Sequence, residues 1–449
     1  MKKNKKRIRL RWGRIAAALS VLAAIVVAIY FLISGIISLF HYIFDDEETS
    51  TEDTEMQIEL TPEMLHCDSV MAHKIDSFLH GPQRLDTNKI AISVFDATTQ
   101  LPVFAYNENQ SVVPASCMKI ATAITALKTL GMNYRYEEFL LAQGDMKRDT
   151  LIGTLQLSAS DDPLFLSFDS LIVMMKQRGI NHVKGNIDIR LAREDTLRAH
   201  PTAKVWDIPY HKTPLLMRGK KYVERTFLAS LRANGVTVRP DSTVNPRKAK
   251  GIYGGGKYHK IAASSHSLRD VITPMLIHSS NIKADAVFYH LNYKAGLYPD
   301  RRIRWDIPNV VQSFMKNIPA DSLTIANIIK VHDGSGLSPD NRLTARFLVD
   351  LLRYAYKDKA LHDYLIDEGL ASPASGARCG SLTTRMSNPE YKNRLFCKTG
   401  TMTTIGTSSL AGYVIGNDGH WYIFSIVNSD SPVAESRIFQ DKMCKVMMK

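Results

Sequence analysis

From Ile15 to Phe40 the chain runs for 26 residues without a charged side chain, and this run constrains how everything after it is organised. At about 1.5 Å per residue, a helix of that length exceeds the roughly 30 Å hydrocarbon core of a bilayer and can span it with some tilt. Eight basic residues precede it (Lys2, Lys3, Lys5, Lys6, Arg7, Arg9, Arg11 and Arg14), and the acidic DDEETSTEDTE follows it. That asymmetry puts the amino terminus in the cytoplasm. A cleaved signal peptide has a shorter apolar region and a small-residue cleavage site, whereas this run ends in SLFHYIFDDEE with no A-x-A pattern. The expectation is a retained single-pass membrane anchor over residues 15–40, behind a basic cytoplasmic head (1–14) and ahead of an acidic stalk (41–65). Everything beyond the stalk is then extracytoplasmic.

The formal net charge of +13 is concentrated in that head; without its eight cations +5 remains. No recognition motif accompanies the charge, so nucleic-acid binding is not expected. The five cysteines (Cys67, Cys117, Cys379, Cys397 and Cys444) are odd in number and widely spaced, with no C-x-x-C pair. They indicate neither a zinc site nor a dense disulfide framework. Gly251 to Lys257 fits G-x-x-x-x-G-K, but Tyr258 stands where a Ser or Thr must ligate magnesium, so it reads as a loop. Ser335 in HDGSGLS lacks the Gly two residues earlier that a nucleophile elbow needs, and His332 reads as a turn residue. No metal and no organic cofactor is expected.

Three short motifs carry chemistry. Ser116-Cys117-Met118-Lys119 opens an apolar helical pattern in which Ile120, Ile124, Leu127 and Leu130 recur until Gly131, with Pro114 just ahead. Positions i and i+3 share a helix face, so the Lys119 amine can reach the Ser116 hydroxyl. A Ser–Lys nucleophile needs that arrangement. Ser279-Ser280-Asn281 offers a hydroxyl and a carboxamide two residues apart, suited to relaying a proton and holding an amide; alone it also fits a helix cap or turn. Lys398-Thr399-Gly400-Thr401 lies in a strand pattern, where a cation and a hydroxyl on a sheet edge can bind a carboxylate and Gly400 admits a close backbone approach.

Ser-x-x-Lys, Ser-x-Asn and Lys-Thr-Gly in this order form the motif set of penicillin-binding proteins and serine β-lactamases. With VVPASCMKIATAITAL, ASDDPLF, SSNIKADAVF, HDGSGLSPDNRLTA and CKTGTMTTIGTSSLAGYV, residues 85–449 resemble the class C low-molecular-mass penicillin-binding proteins, which include D-alanyl-D-alanine carboxypeptidases and endopeptidases. The resemblance implies an α+β fold of the serine β-lactamase-like transpeptidase type, an antiparallel sheet flanked by helices. The catalytic domain would comprise 66–135 and 266–449, with residues 136–265 as a large inserted region. It implies Ser116 as nucleophile, Lys119 as general base, Ser279 as proton relay and Asn281 as a support for substrate and Lys119. Lys398 and Thr399 would bind the terminal carboxylate of D-Ala-D-Ala beside Gly400, and the backbone N–H groups of Ser116 and Thr401 would form the oxyanion hole. The implied partners are peptidoglycan stem peptides and β-lactams. Ser280 replaces the family's usual Asp, and Asp161 stands where a Gly commonly precedes Asp-Pro. Cys117 is expected to be a buried small residue pointing off the nucleophile's face. Two other readings share the motifs: a serine β-lactamase, for which no water-activating base is identifiable, and a protein acylated by penicillin or binding muropeptides without turnover.

Overall fold

The computed structural model describes residues 60–82, 84–203, 213–305, 307–319 and 328–449. The basic head, the apolar run Ile15–Phe40 and most of the stalk lie outside the described residues. Among those described, no helix is long and apolar enough to cross a membrane.

Helix α1 (Pro62–Leu79) begins inside the stretch assigned to the stalk, because Thr61 caps it by accepting from Met64 N–H and Pro62 occupies its first turn, where a missing N–H is harmless. Strands β1 (Ile90–Asp96) and β2 (Leu101–Tyr106) make a hairpin. A 3-10 turn over Ala115–Cys117 leads into α2 (Met118–Leu130), which Gly131 ends at φ +91°. Every residue of α2 from Met118 to Leu127 is buried, so this helix runs through the core rather than along its surface.

Residues 135–267 then build a sheet of their own from β3 (Arg135–Lys147), β4 (Thr150–Ala159), β5 (His182–Leu191), β6 (Thr237–Arg239) and β7 (His259–Ser267). Its order is β6-β5-β4-β3-β7, antiparallel where β3 meets β4 and β7, and parallel from β4 through β5 to β6. Helices α3 (Asp169–Gln177) and α4 (Lys220–Ala233) pack on it around a separate apolar cluster that includes Leu155, Phe168, Ile172 and Phe227. The sequence pattern pointed to short strands and turns here, yet β3, β4 and β5 run for 13, 10 and 10 residues. Buried polar residues, among them Glu138, Gln143, Thr154 and Gln156, break the apolar alternation that would have marked their length.

Ser267 and Asp270 close a capping box that starts α5 (Leu268–Ile277). There follow α6 (Asn281–Lys294), α7 (Val310–Lys316), α8 (Ala345–Lys357) and α9 (Lys359–Tyr364), then β8 (Leu395–Met402), β9 (Thr407–Ile415), β10 (Trp421–Asn428) and α10 (Val433–Met448). The principal sheet is antiparallel throughout, in the order β2-β1-β10-β9-β8. Side chains alternate along β1, so its residues serve two cores. Ala91 and Phe95 face the cluster made by α2, α5, α6 and α8. Ile90, Ile92 and Val94 face Met71 and Ile75 of α1 and Phe439 and Met443 of α10. The sheet is thus covered by helices on both faces, with β8 at its edge.

Candidate active site

Each motif sits at the end of an element, where a side chain or backbone group can project into shared space. Ser116 is half-buried in the 3-10 turn ahead of α2, and its neighbour Ala115 holds φ at +46°. Lys119 is one helical turn further on and wholly buried. Its Nζ donates to Ser116 Oγ at 2.9 Å, to Asn281 Oδ1 at 2.7 Å and to the Ser335 carbonyl oxygen at 2.6 Å. Three segments far apart in sequence therefore meet on one amine.

Asn281 is the first residue of α6, and Ser280 caps that helix by accepting from Lys283 N–H. This cap is what the residue in the middle of the motif does here, and Ser serves it as well as Asp would. Ser279 lies in the link between α5 and α6, half-buried with φ +55°. Left-handed backbone at both Ala115 and Ser279 marks turns held in place by their surroundings.

Strand β8 brings the third motif. Lys398 is 1% exposed, its Nζ donates to the Thr399 carbonyl oxygen at 2.8 Å, and no carboxylate pairs with it among the described residues. Burial pushes its pKa down to about 8. Thr399 Oγ1 shares a hydrogen bond with Ser381 Oγ, and Thr401 Oγ1 accepts from Arg437 Nη2 at 2.9 Å. A side-chain carbon at Gly400 would stand 2.1 Å from Ser409 Oγ, 2.8 Å from the Pro114 carbonyl oxygen and 3.0 Å from Ser116 N. Only glycine lets β8 lie this close to the serine turn. Ser409 Oγ donates to the Pro114 carbonyl oxygen, and Cys117 Sγ to the Lys398 carbonyl oxygen, which ties the two together. Cys117 is fully buried and burial pushes its thiol up, so it stays protonated and packs away from the serine's open side.

The HDGSGLS loop, whose residues read as a turn in the sequence, belongs to this site. Its contribution is a backbone carbonyl, that of Ser335, and not a side-chain nucleophile. Asp333 shapes the loop by accepting from Gly336 N–H (2.7 Å), Ser338 N–H (2.6 Å) and Asn341 Nδ2 (3.0 Å). Thr122 of α2 donates to the Gly334 carbonyl oxygen at 2.7 Å. A side-chain carbon at Gly336 would stand 1.9 Å from the Ala115 carbonyl oxygen, so loop and serine turn are in direct contact. Asp285, one turn after Asn281 on α6, was also missed. Burial, then repulsion from Asp333, pushes its carboxyl well up, with the Lys119 charge opposing. In the ASDDPLF loop, Asp161 pairs in the interior with Arg193 at 3.5 Å, a fixed partner that a glycine could not have.

A sequence profile described as the D-Ala-D-Ala carboxypeptidase 3 (S13) family matches residues 71–207 and 209–448. The chain is 29% identical over 207 residues to a D-alanyl-D-alanine carboxypeptidase of Actinomadura sp. (strain R39); this match covers 45% of the chain and 35% of that protein, about a third of its length. In fold it is similar to penicillin binding protein 4 from Haemophilus influenzae, with a TM-score of 0.61 at 17% identity over 84% of this chain and 99% of that one. It is also similar to a predatory peptidoglycan endopeptidase from Bdellovibrio bacteriovorus, with a TM-score of 0.51 at 17% identity over 79% and 90% of the two chains.

Proposed function

We propose, from the premise that the chain belongs to the D-Ala-D-Ala carboxypeptidase 3 (S13) family and is a class C low-molecular-mass penicillin-binding protein, that it is a serine D,D-peptidase of peptidoglycan. Its substrates are stem peptides ending in D-Ala-D-Ala or cross-linked through D-Ala to meso-diaminopimelate, and β-lactams acylate the same serine. The Lys119–Ser116 contact carries this proposal. With Lys119 neutral, its lone pair takes the place of the N–H on the 2.9 Å line, and the serine hydroxyl donates to it. The proton passes to Lys119 as Oγ attacks the penultimate D-Ala carbonyl. Ser116 N–H and Thr401 N–H receive the developing oxyanion. Ser279 relays the proton to the leaving amine, the amide bond breaks, and water then hydrolyses the ester to free the serine. Lys398, Thr399 and Gly400 hold the substrate's free carboxylate and backbone along the sheet edge, and Asn281 holds the substrate amide and Lys119.

In this proposal residues 66–135 and 266–449 make the catalytic domain and 136–265 the inserted region, which the separate mixed sheet supports. Ile15–Phe40 anchors the protein in the cytoplasmic membrane with the catalytic domain outside the cytoplasm. The full-length protein, incubated with a D-Ala-D-Ala pentapeptide and followed by mass spectrometry, is expected to release one D-Ala per peptide with turnover. Accumulation of a stable peptidyl-enzyme, with only one D-Ala released per protein molecule and no turnover, would instead mark a binding protein.

A further inference from the structure

On the far side of the principal sheet from Ser116, three residues from three elements converge in the interior. Asp68 comes from α1, Asp96 ends β1, and His420 immediately precedes β10; they are 8%, 0% and 7% exposed. Each offers an oxygen or ring nitrogen, and these atoms lie within 4.8 Å of one another. His420 Nδ1 stands 2.5 Å from Asp96 Oδ2. Asp68 Oδ2 accepts from Thr99 Oγ1 at 2.7 Å, while Asp68 Oδ1, fully enclosed, accepts from no N–H or hydroxyl donor among the described residues. Among the described residues no Lys or Arg pairs with either carboxylate, and a third, Asp418, adjoins the group, accepting from His420 N–H and from the Tyr422 hydroxyl. Two buried carboxylates facing one imidazole need a proton or a cation between them in a low-dielectric site.

We propose that Asp68, Asp96 and His420 form a structural site for a first-row divalent cation of the zinc type. Two carboxylate oxygens and one imidazole nitrogen suit Zn²⁺, with water as the remaining ligand. The ion replaces any proton held by the carboxylate pair and releases it to solvent, with no change of oxidation state. It supplies positive charge and ties α1, the first helix of the described residues, to the end of β1 and the start of β10. No cysteine is needed, and ligands 28 and 324 residues apart leave no spacing motif to read.

The test uses the tag-free full-length protein in detergent, stripped with EDTA and dialysed with or without Zn²⁺. Elemental analysis after gel filtration should find zinc, and Tm should rise by several degrees in its presence. Asp68→Asn keeps the oxygen that accepts from Thr99 and relieves the carboxylate crowding, so it folds. It should retain one equivalent of zinc fewer and lose the Tm rise, and His420→Gln should do the same. Mg²⁺ should replace neither effect. Equal zinc content and equal Tm response in wild type and Asp68→Asn, or no zinc in wild type, would overturn the site.

Discussion

Lys119 donates to three acceptors at once, so its amine is fixed in direction as well as in place, and the serine is one of the three. Arginine keeps charge and reach but does not give up its proton in a protein. Lys119→Arg is therefore expected to fold and yet lose labelling by a fluorescent penicillin at least about a thousandfold, close to Ser116→Ala. Labelling of the arginine variant near the wild-type rate would remove Lys119 as the base. Lys398 makes a different prediction. A lysine is a cation below its pKa, and burial brings this one to about 8. As pH rises through that value the charge proposed to bind the carboxylate is lost, so kcat/KM for a pentapeptide with a free carboxyl terminus should fall above about pH 8. The same peptide amidated at its carboxyl terminus should show no such limb, and Lys398→Ala should harm the free acid more than the amide. Matching profiles for both peptides would separate Lys398 from carboxylate recognition.

Single side chains placed by short motifs give way, at the next scale, to elements that hold one another. The loop over residues 332–338 is shaped by Asp333, whose carboxylate satisfies two backbone N–H groups and the Asn341 amide in the interior. Asp333→Ala leaves those donors buried without an acceptor, at about 1–3 kcal/mol for each that water does not reach. It should lower Tm by several degrees and cut the rate of penicillin labelling by about tenfold or more, because Ser335 no longer presents its carbonyl to Lys119. A variant with lowered Tm and unchanged labelling would make the loop purely structural. Why this loop was not read as part of the site is plain from its chemistry. A backbone carbonyl has no signature in sequence, whereas Ser116, Lys119 and Asn281 act through side chains whose spacing is local. Helix α2 was legible down to its last residues because apolar spacing, Pro114 and Gly131 agreed. The mixed sheet was not, because polar Glu138 and Gln143 are buried on β3 and interrupt its apolar alternation. Asp285 was likewise hidden: an acidic residue one turn into a helix ordinarily reads as solvated, and only the packing of α6 encloses it.

For the whole molecule, one expectation from the sequence concerns Ile15–Phe40, which lies outside the described residues. Retention of Ile15–Phe40 predicts that the protein leaves membranes only with detergent and that amino-terminal sequencing of the extracted material begins near residue 1. A mature start between about 40 and 60 would end the anchor claim. The sheet order carries a consequence of another kind. Strand β1 pairs with β2 on one side and β10 on the other, so one side of residues 90–96 finds its main-chain partner in residues 421–428, while the serine turn is backed by Gly400 and Ser409. Synthesis runs from the amino terminus, and non-local pairings form late. Ser116 is made early and waits through nearly three hundred further residues before the strand that completes its surroundings exists. On the proposed reading, a nascent or truncated chain carries the nucleophile without its chemistry, and the protein becomes reactive only when its manufacture is almost finished.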